Sequence, residues 1–323
     1  MILQTQIPLK QQQYNPITYQ SKLLLLGSCF SENIGDKLSY FKFQTVQNPF
    51  GILFQPKAIE RLVLNSINEK KYEEDELFFH NEQWHSFDSH SKLSSPSKET
   101  LLENLNQSVS LTHNTLKNAS HIIITLGTAW VYRFIEIDQI VANCHKIPQK
   151  KFLKEILSIN DITKSLDALV SLIRSVKYDA SIIFTVSPVR HLKDGFVENQ
   201  RSKSHLTAAI HEVVDERKNI HYFPSYEIMM DELRDYRFYK EDMIHPNTVA
   251  VNYIWERFKN AWISEDIKTI MNTVENIQRG LSHRPFNPNS EEHKAFLKKL
   301  EQKIKALQGK LPHVSFNKES KAH

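Results

Sequence analysis

Four short, almost uninterrupted apolar runs punctuate the chain, at Lys22 to Gly27, His121 to Gly127, Ser181 to Ser187 and Asn219 to Pro224. A strand with one wet face alternates apolar and polar residues; one covered on both faces does not, so these runs predict buried strands. Between them the pattern changes to helical spacing over Ser31 to Lys42, Pro56 to Asn68, Lys98 to Asn118, Lys151 to Val176 and Asn199 to Arg217. Strand alternating with helix predicts the α/β class, a parallel sheet with helices on both faces. In such sheets ligands bind beyond the carboxyl ends of the strands. The residues that leave those ends are Gly27-Ser28-Cys29-Phe30, Gly127-Thr128-Ala129-Trp130, Ser187-Pro188-Val189-Arg190 and Pro224-Ser225-Tyr226-Glu227.

Two stretches break the alternation. Phe78 to His90 alternates loosely, and Trp130 to Cys144 has the pattern of a hairpin with Asp138 near its turn, so both predict insertions around the cleft. A last core helix is expected over Thr248 to Trp262, followed by a more charged tail with a breaker series from Arg284 to Asn289. Beyond it, Ser290 with Glu291 and Glu292 marks a helix start, and Gly309 with Pro312 its stop. Leu297, Leu300, Ile304 and Leu307 form a narrow stripe on that helix, too short for a coiled coil. It is expected to pack on its own domain, with homodimer formation through the helix as the alternative.

Composition narrows the partners. The 323 residues suffice for one sizeable core with an appended piece. The 41 basic and 37 acidic side chains are interspersed and carry no basic footprint for nucleic acid. No apolar run approaches the roughly 20 residues of a membrane helix. The Gln-rich stretch Met1 to Gln20 lacks the features of a secretory signal, which leads to an expected cytoplasmic location. With only Cys29 and Cys144, neither a disulfide framework nor a CxxC metal pair is expected. His80, His85 and His90 recur every five residues, a spacing that puts neighbours on opposite faces of a strand, so no metal or other cofactor is expected.

The strongest chemical signal is Asp242-Met243-Ile244-His245-Pro246-Asn247. A carboxylate three residues before a histidine in a loop can reach the imidazole, fix its tautomer and stabilise the imidazolium formed during proton transfer. Asn247 caps the following helix, which places His245 near a helix N-terminus. The second signal is the turn Gly27-Ser28-Cys29, where a strand passes into a helix; either Ser28 or Cys29 is positioned there as a nucleophile. The alternative makes Ser28 a helix cap and Cys29 a small buried apolar residue. Gly51, in Asn48-Pro49-Phe50-Gly51, offers a backbone N–H to an oxyanion, with Asn48 nearby as a side-chain donor. Arg190, Arg201 and Lys203 are available to an anionic substrate group.

Taken together, GSCFSENIG, NPFGILFQP, TLGTAWVYR, TVSPVR and DMIHPN, in that order between Leu23 and Phe258, resemble the GSCFA family, itself similar to the SGNH and GDSL hydrolases. The resemblance implies a flavodoxin-like three-layer α/β/α fold, with residues 1–262 as the catalytic domain and 263–323 as a helical C-terminal extension. It also implies hydrolysis of small O-acyl esters, including acetylated carbohydrates, by a nucleophile that His245 and Asp242 activate. The related hydrolases carry Gly-Asp-Ser at the first motif, so Cys29 falls at the nucleophile and Ser28 is the fallback. They also carry an asparagine after Gly-Thr in the third motif, where this chain has Ala129-Trp130; losing such an oxyanion donor costs about 3 kcal/mol of transition-state stabilisation. Asn48, Thr128 or His85 are the replacements within reach of the motif pattern, and Gly51 matches the second-motif glycine. An acyltransferase with the same site, and a catalytically silent ligand-binding protein of the same fold, are the rival readings.

Overall fold

The computed structural model describes residues 5–316. The first four residues of the Gln-rich N-terminal stretch and the last seven of the C-terminal extension lie outside the described residues. The core strands are β1 (Lys22–Gly27), β2 (Gln44–Gln47), β5 (His121–Leu126), β9 (Ser181–Val186) and β10 (Ile220–Tyr222), all parallel, in the order β10-β9-β5-β1-β2. In order of appearance among these five strands that is 5-4-3-1-2, the flavodoxin-like arrangement read from the far edge, with its switch point between β1 and β5.

Parity along β1 explains the layers. Leu24 and Leu26 face a core with Ile122, Ile124, Ile182 and Phe184, whereas Leu23 and Leu25 face a second one with Ile123 and Ile183. Helices α2 (Pro56–Ile67), α3 (Lys98–Asn118), α4 (Ile159–Val176) and α5 (Phe196–Val213) cover the first core. Helices α1 (Cys29–Tyr40), α7 (Thr248–Trp262) and α8 (Lys268–Ser282) cover the second. Successive side chains of a strand point to opposite faces, so a sheet buried on both sides needs the continuous apolar runs seen in the sequence.

The insertions are sheets of their own. A hairpin of β3 (Phe78–His80) and β4 (Gln83–His85) precedes α3, and a three-stranded antiparallel sheet of β6 (Trp130–Phe134), β7 (Gln139–Val141) and β8 (Phe152–Ile156) follows β5. Asp138 lies at the β6–β7 turn with φ of 48°. The expected helix from Lys151 is corrected here: residues 152–156 pair with β6 as a strand, and the helix begins at Ile159 behind the Ser158 cap. The sequence pattern also passed over β2, because Gln-Thr-Val-Gln is a half-buried edge strand with no apolar run.

A short turn, α6 (Ser225–Glu227), leads toward the loop before α7, and α9 (Glu291–Lys310) follows α8. Leu300 and Leu307 of α9 join the second core beside Met271, Val274 and Ile277, while Leu297 stays 46% exposed. The C-terminal helix thus packs on its own chain. Among the described residues no helix is long and apolar enough to cross a membrane.

Candidate active site

Gly27 ends β1 with φ of 129°, and a side chain there would run into the backbone of Thr125, so only glycine permits the turn. The chain then enters α1 directly at Cys29, two residues earlier than the apolar spacing suggests. Ser28 is the N-cap: its Oγ accepts from Phe30 N at 3.3 Å, and the residue is 1% exposed. Cys29 therefore occupies the first helical position, where backbone N–H groups have no intrahelical acceptor and the helix dipole favours negative charge. Its side chain is half-buried. Burial pushes the thiol pKa up, Glu32 one turn on adds to that, and Lys203, the residue's own N–H and Lys240 oppose it.

The loop before α7 supplies a preassembled pair. His245 Nδ1 lies 2.7 Å from Asp242 Oδ2, while Asp242 Oδ1 accepts from the backbone N–H groups of Ile244 and His245, each at 2.9 Å. Those three hydrogen bonds hold the Asp242 carboxyl at about 2, well below its usual range. An ionised Asp242 requires Nδ1 to carry its proton, which leaves the Nε2 lone pair for a substrate or nucleophile. Both side chains are 42% exposed.

The loop itself is tied down from three sides. Lys240 N donates to His245 O at 2.7 Å, Arg190 N donates to Ile244 O at 3.2 Å, and Asn247 caps α7 through Ala250 N at 3.1 Å. Arg190, at the exit of β9, also sits over the rings of Tyr239, Tyr236 and Phe196 at 4.1, 5.3 and 5.7 Å. It joins the β9 exit to the Asp242–His245 loop, a link that only the fold reveals.

The four expected oxyanion donors separate into one that is free and three that are engaged. Gly51 has φ of 74°, and its N–H donates to Asn48 O at 2.7 Å, closing the turn. That removes Gly51 from the donor role expected of it. His85 is also removed: Nδ1 meets Ser94 Oγ at 2.6 Å and Nε2 meets His80 O at 2.9 Å, inside the β3–β4 hairpin. The Thr128 hydroxyl meets Ser202 Oγ at 3.1 Å and accepts from Trp130 N at 3.0 Å, so its bonds tie β5 to α5.

Asn48 is different. Its Oδ1 accepts from Gly27 N at 2.9 Å, which fixes the orientation of the amide, and its buried Nδ2 has no hydrogen-bond partner. This unpaired donor lies just past the end of β2, beside the Gly27 turn.

A cleft of about 380 Å³ opens along the same sheet edge, between the β5 exit and the β6–β8 insertion, with Gln55, Trp130, Cys144, His191 and Lys193 among its walls. Gln55 is 4% exposed, and its Nε2 also lacks a partner. Among the described residues no group of three or more His, Cys, Asp or Glu is placed to hold a metal ion.

No curated protein matches the chain. Among solved structures it is similar to an acetyl esterase mutant crystallised with acetate ion, at 8% identity and a TM-score of 0.37, covering 79% of this chain and 99% of that one. The model of the GSCFA domain protein C-terminal domain matches residues 274–322. The GSCFA family model matches residues 22–258, from the first residue of β1 to within α7, and the chain belongs to the GSCFA family.

Proposed function

We propose that the protein is an acyl-ester hydrolase that works through a covalent thioester on Cys29. The observation that carries this reading is the Asp242–His245 pair, held by a 2.7 Å hydrogen bond with Nε2 left free, in the loop that leads into α7. His245 takes the thiol proton, Sγ attacks the ester carbonyl, and the carbonyl oxygen takes up the negative charge against the Cys29 N–H and Asn48 Nδ2. Collapse expels the alcohol, which receives the proton from His245. Water, deprotonated by the same imidazole, then attacks the thioester and frees the acid and the thiol.

Cys29 is favoured over Ser28 because the Ser28 hydroxyl is committed to the helix cap and the residue is buried. The cleft beside Trp130, which Cys29, Asn48, Asp242 and His245 do not line, has the volume for the alcohol portion of a small O-acyl substrate, and its Gln55, His191 and Lys193 suit a polyhydroxylated one such as an acylated carbohydrate.

The test is hydrolysis of an activated acetyl ester by the wild type, Cys29→Ala, Ser28→Ala and His245→Ala proteins, each checked for folding. Cys29→Ala and His245→Ala should each lose at least about a hundredfold in kcat, as members of one catalytic unit do. Loss with Ser28→Ala and retention with Cys29→Ala overturns the thiol mechanism, and equal activity in all four overturns the site.

A further inference from the structure

The cleft between the β5 exit and the β6–β8 insertion holds none of Cys29, Asn48, Asp242 or His245, so its chemistry is set by its own walls. Among the described residues no aspartate or glutamate stands in those walls, whereas Lys146 and Lys193 do. Both lysines are exposed, and neither makes an ion pair among the described residues. Lys154, 4.7 Å over the Trp130 ring, is by contrast neutralised by Asp194. His191 adds no cation near neutral pH, because burial holds its pKa below the ordinary range even with Asp194 3.7 Å away. The result is a basic cleft of small-ligand size, about 380 Å³.

A buried amide points to a ligand independently of those charges. Gln55 is the N-cap of α2 and is 4% exposed; its Oε1 accepts from Ala58 N at 3.1 Å, which fixes the orientation of the amide. Nε2 is left as the free end, buried and without a partner, on a residue that lines the cleft. The first turn of α2 carries no acidic residue, so the positive end of this 12-residue helix is uncompensated there. An unpaired amide donor and a helix N-terminus both favour an oxygen-rich, negatively charged ligand. The wall that carries Lys146 is preformed. His145, 3% exposed, donates through Nε2 to Ser86 O at 2.8 Å, and Ala142 N donates to Phe87 O at 2.8 Å, which pins the loop on both sides of Cys144.

We propose that this cleft binds an anionic saccharide, a sugar ring bearing a carboxylate, with Lys146 and Lys193 pairing with the carboxylate and Gln55 Nε2 donating to a ring oxygen. Trp130 and Tyr132 supply aromatic surface for the C–H face of the ring. Asn143 keeps its Nδ2 for a hydroxyl, since its Oδ1 accepts from His145 N at 2.9 Å. A lysine is a point charge on a flexible stem, so the two lysines select for charge, while the fixed Gln55 amide sets orientation. The inference narrows the acylated carbohydrate of the hydrolase reading to an acidic one. It rests on that reading for the ester alone, and ligand binding is tested without turnover.

The experiment titrates the full-length protein with methyl glucuronoside and with methyl glucoside, which differ by a carboxylate against a hydroxymethyl group, and follows the indole N–H signal of Trp130 by NMR. The uronoside should bind about tenfold more tightly at low salt, and the preference should shrink toward unity at about 1 M salt. Replacing both lysines, Lys146→Met with Lys193→Met, should bring the uronoside down to the affinity of the glucoside. Gln55→Glu keeps the acceptor for Ala58 N–H and replaces the donor with a negative charge. With the protein still folded by circular dichroism, it should weaken the uronoside at least about tenfold and the glucoside less. Equal affinities, binding of neither glycoside, or a uronoside preference that survives both lysine substitutions overturns the proposal. Hydrolysis of an activated acetyl ester is measured on the same wild-type preparation. Uronoside preference without turnover upholds the site and overturns the hydrolase reading, and turnover without that preference overturns the site alone.

Discussion

Asn48 offers the sharpest quantitative test of the proposed chemistry. Its amide is divided in use, with Oδ1 accepting from Gly27 N at 2.9 Å and Nδ2 buried and unpartnered. Leaving a buried donor unsatisfied costs about 1–3 kcal/mol in the resting protein. An oxyanion that receives this donor relieves that cost and adds a charge-assisted hydrogen bond, so the benefit falls on the transition state and not on the ground state. Removing one such donor raises the barrier by about 3 kcal/mol, on the order of a hundredfold in kcat.

Asn48→Asp is the matching perturbation. It preserves the shape and the acceptor for Gly27 N–H, and aspartate tolerates the positive φ of 42° at this position. It replaces the donor with an oxygen that repels the oxyanion. We expect kcat on an activated acetyl ester to fall a hundredfold or more, with KM within about threefold and the protein still folded by circular dichroism. A purely structural role for Asn48 predicts the opposite balance, lower stability with kcat retained. A folded Asn48→Asp protein with kcat within threefold of the wild type would refute the oxyanion assignment.

Two further perturbations probe the loop before α7. Asp242→Asn places an amide against Nδ1 and selects the wrong imidazole tautomer, so kcat should drop by about 10³–10⁴; a loss under tenfold would remove Asp242 from the mechanism. Because the Asp242 carboxyl is held at about 2 against its ordinary 3.8, its stabilising effect is complete above about pH 4 and is lost as pH falls through 2. The Asp242 carboxyl carbon signal should therefore stay in place down to about pH 4 and move as pH falls through 2, and a midpoint at the ordinary 3.8 would contradict this. Arg190→Ala removes the guanidinium packed 4.1 Å over Tyr239 and its hydrogen bond to Met243 O, a loss of about 1–2 kcal/mol in loop anchorage. Tryptic cleavage after Arg237 or Lys240 should become roughly tenfold faster, and an unchanged rate would show that the clamp does not hold the loop.

What the sequence made legible follows from how local each signal is. Strands β1, β5, β9 and β10 were readable because a sheet covered on both faces needs continuous apolar runs, and β2 was not because Gln-Thr-Val-Gln lies at an edge. The Asp242–His245 pair is encoded within four residues, so spacing alone announced it. The donor status of Gly51, Thr128 and His85 depends on partners as distant as Ser202, and no spacing rule assigns those. The free end of the Asn48 amide was equally out of reach, since it is defined by what surrounds it. Lys203, amid the polar residues of α5, reads as available to an anionic group, yet the fold buries it against Gly127 O and Ser187 O.

The two halves of the site differ in burial, and that difference carries a mechanistic consequence. Asp242 and His245 are 42% exposed, whereas Cys29 is half-buried with its ionisation opposed by burial. An imidazole in water gains little from one ion pair, because solvent screens it. Closing a substrate over the Asp242–His245 loop expels that water, strengthens the hydrogen bond to Asp242, and raises the basicity of Nε2 as the thiol proton must leave. The resting protein would then hold a mostly neutral thiol, protected from alkylation and oxidation, and produce the thiolate chiefly under a bound ester. On this account a substrate lacking the alcohol portion that fills the cleft beside Trp130 should lose kcat and not only affinity, since the binding energy of that portion drives the expulsion of water.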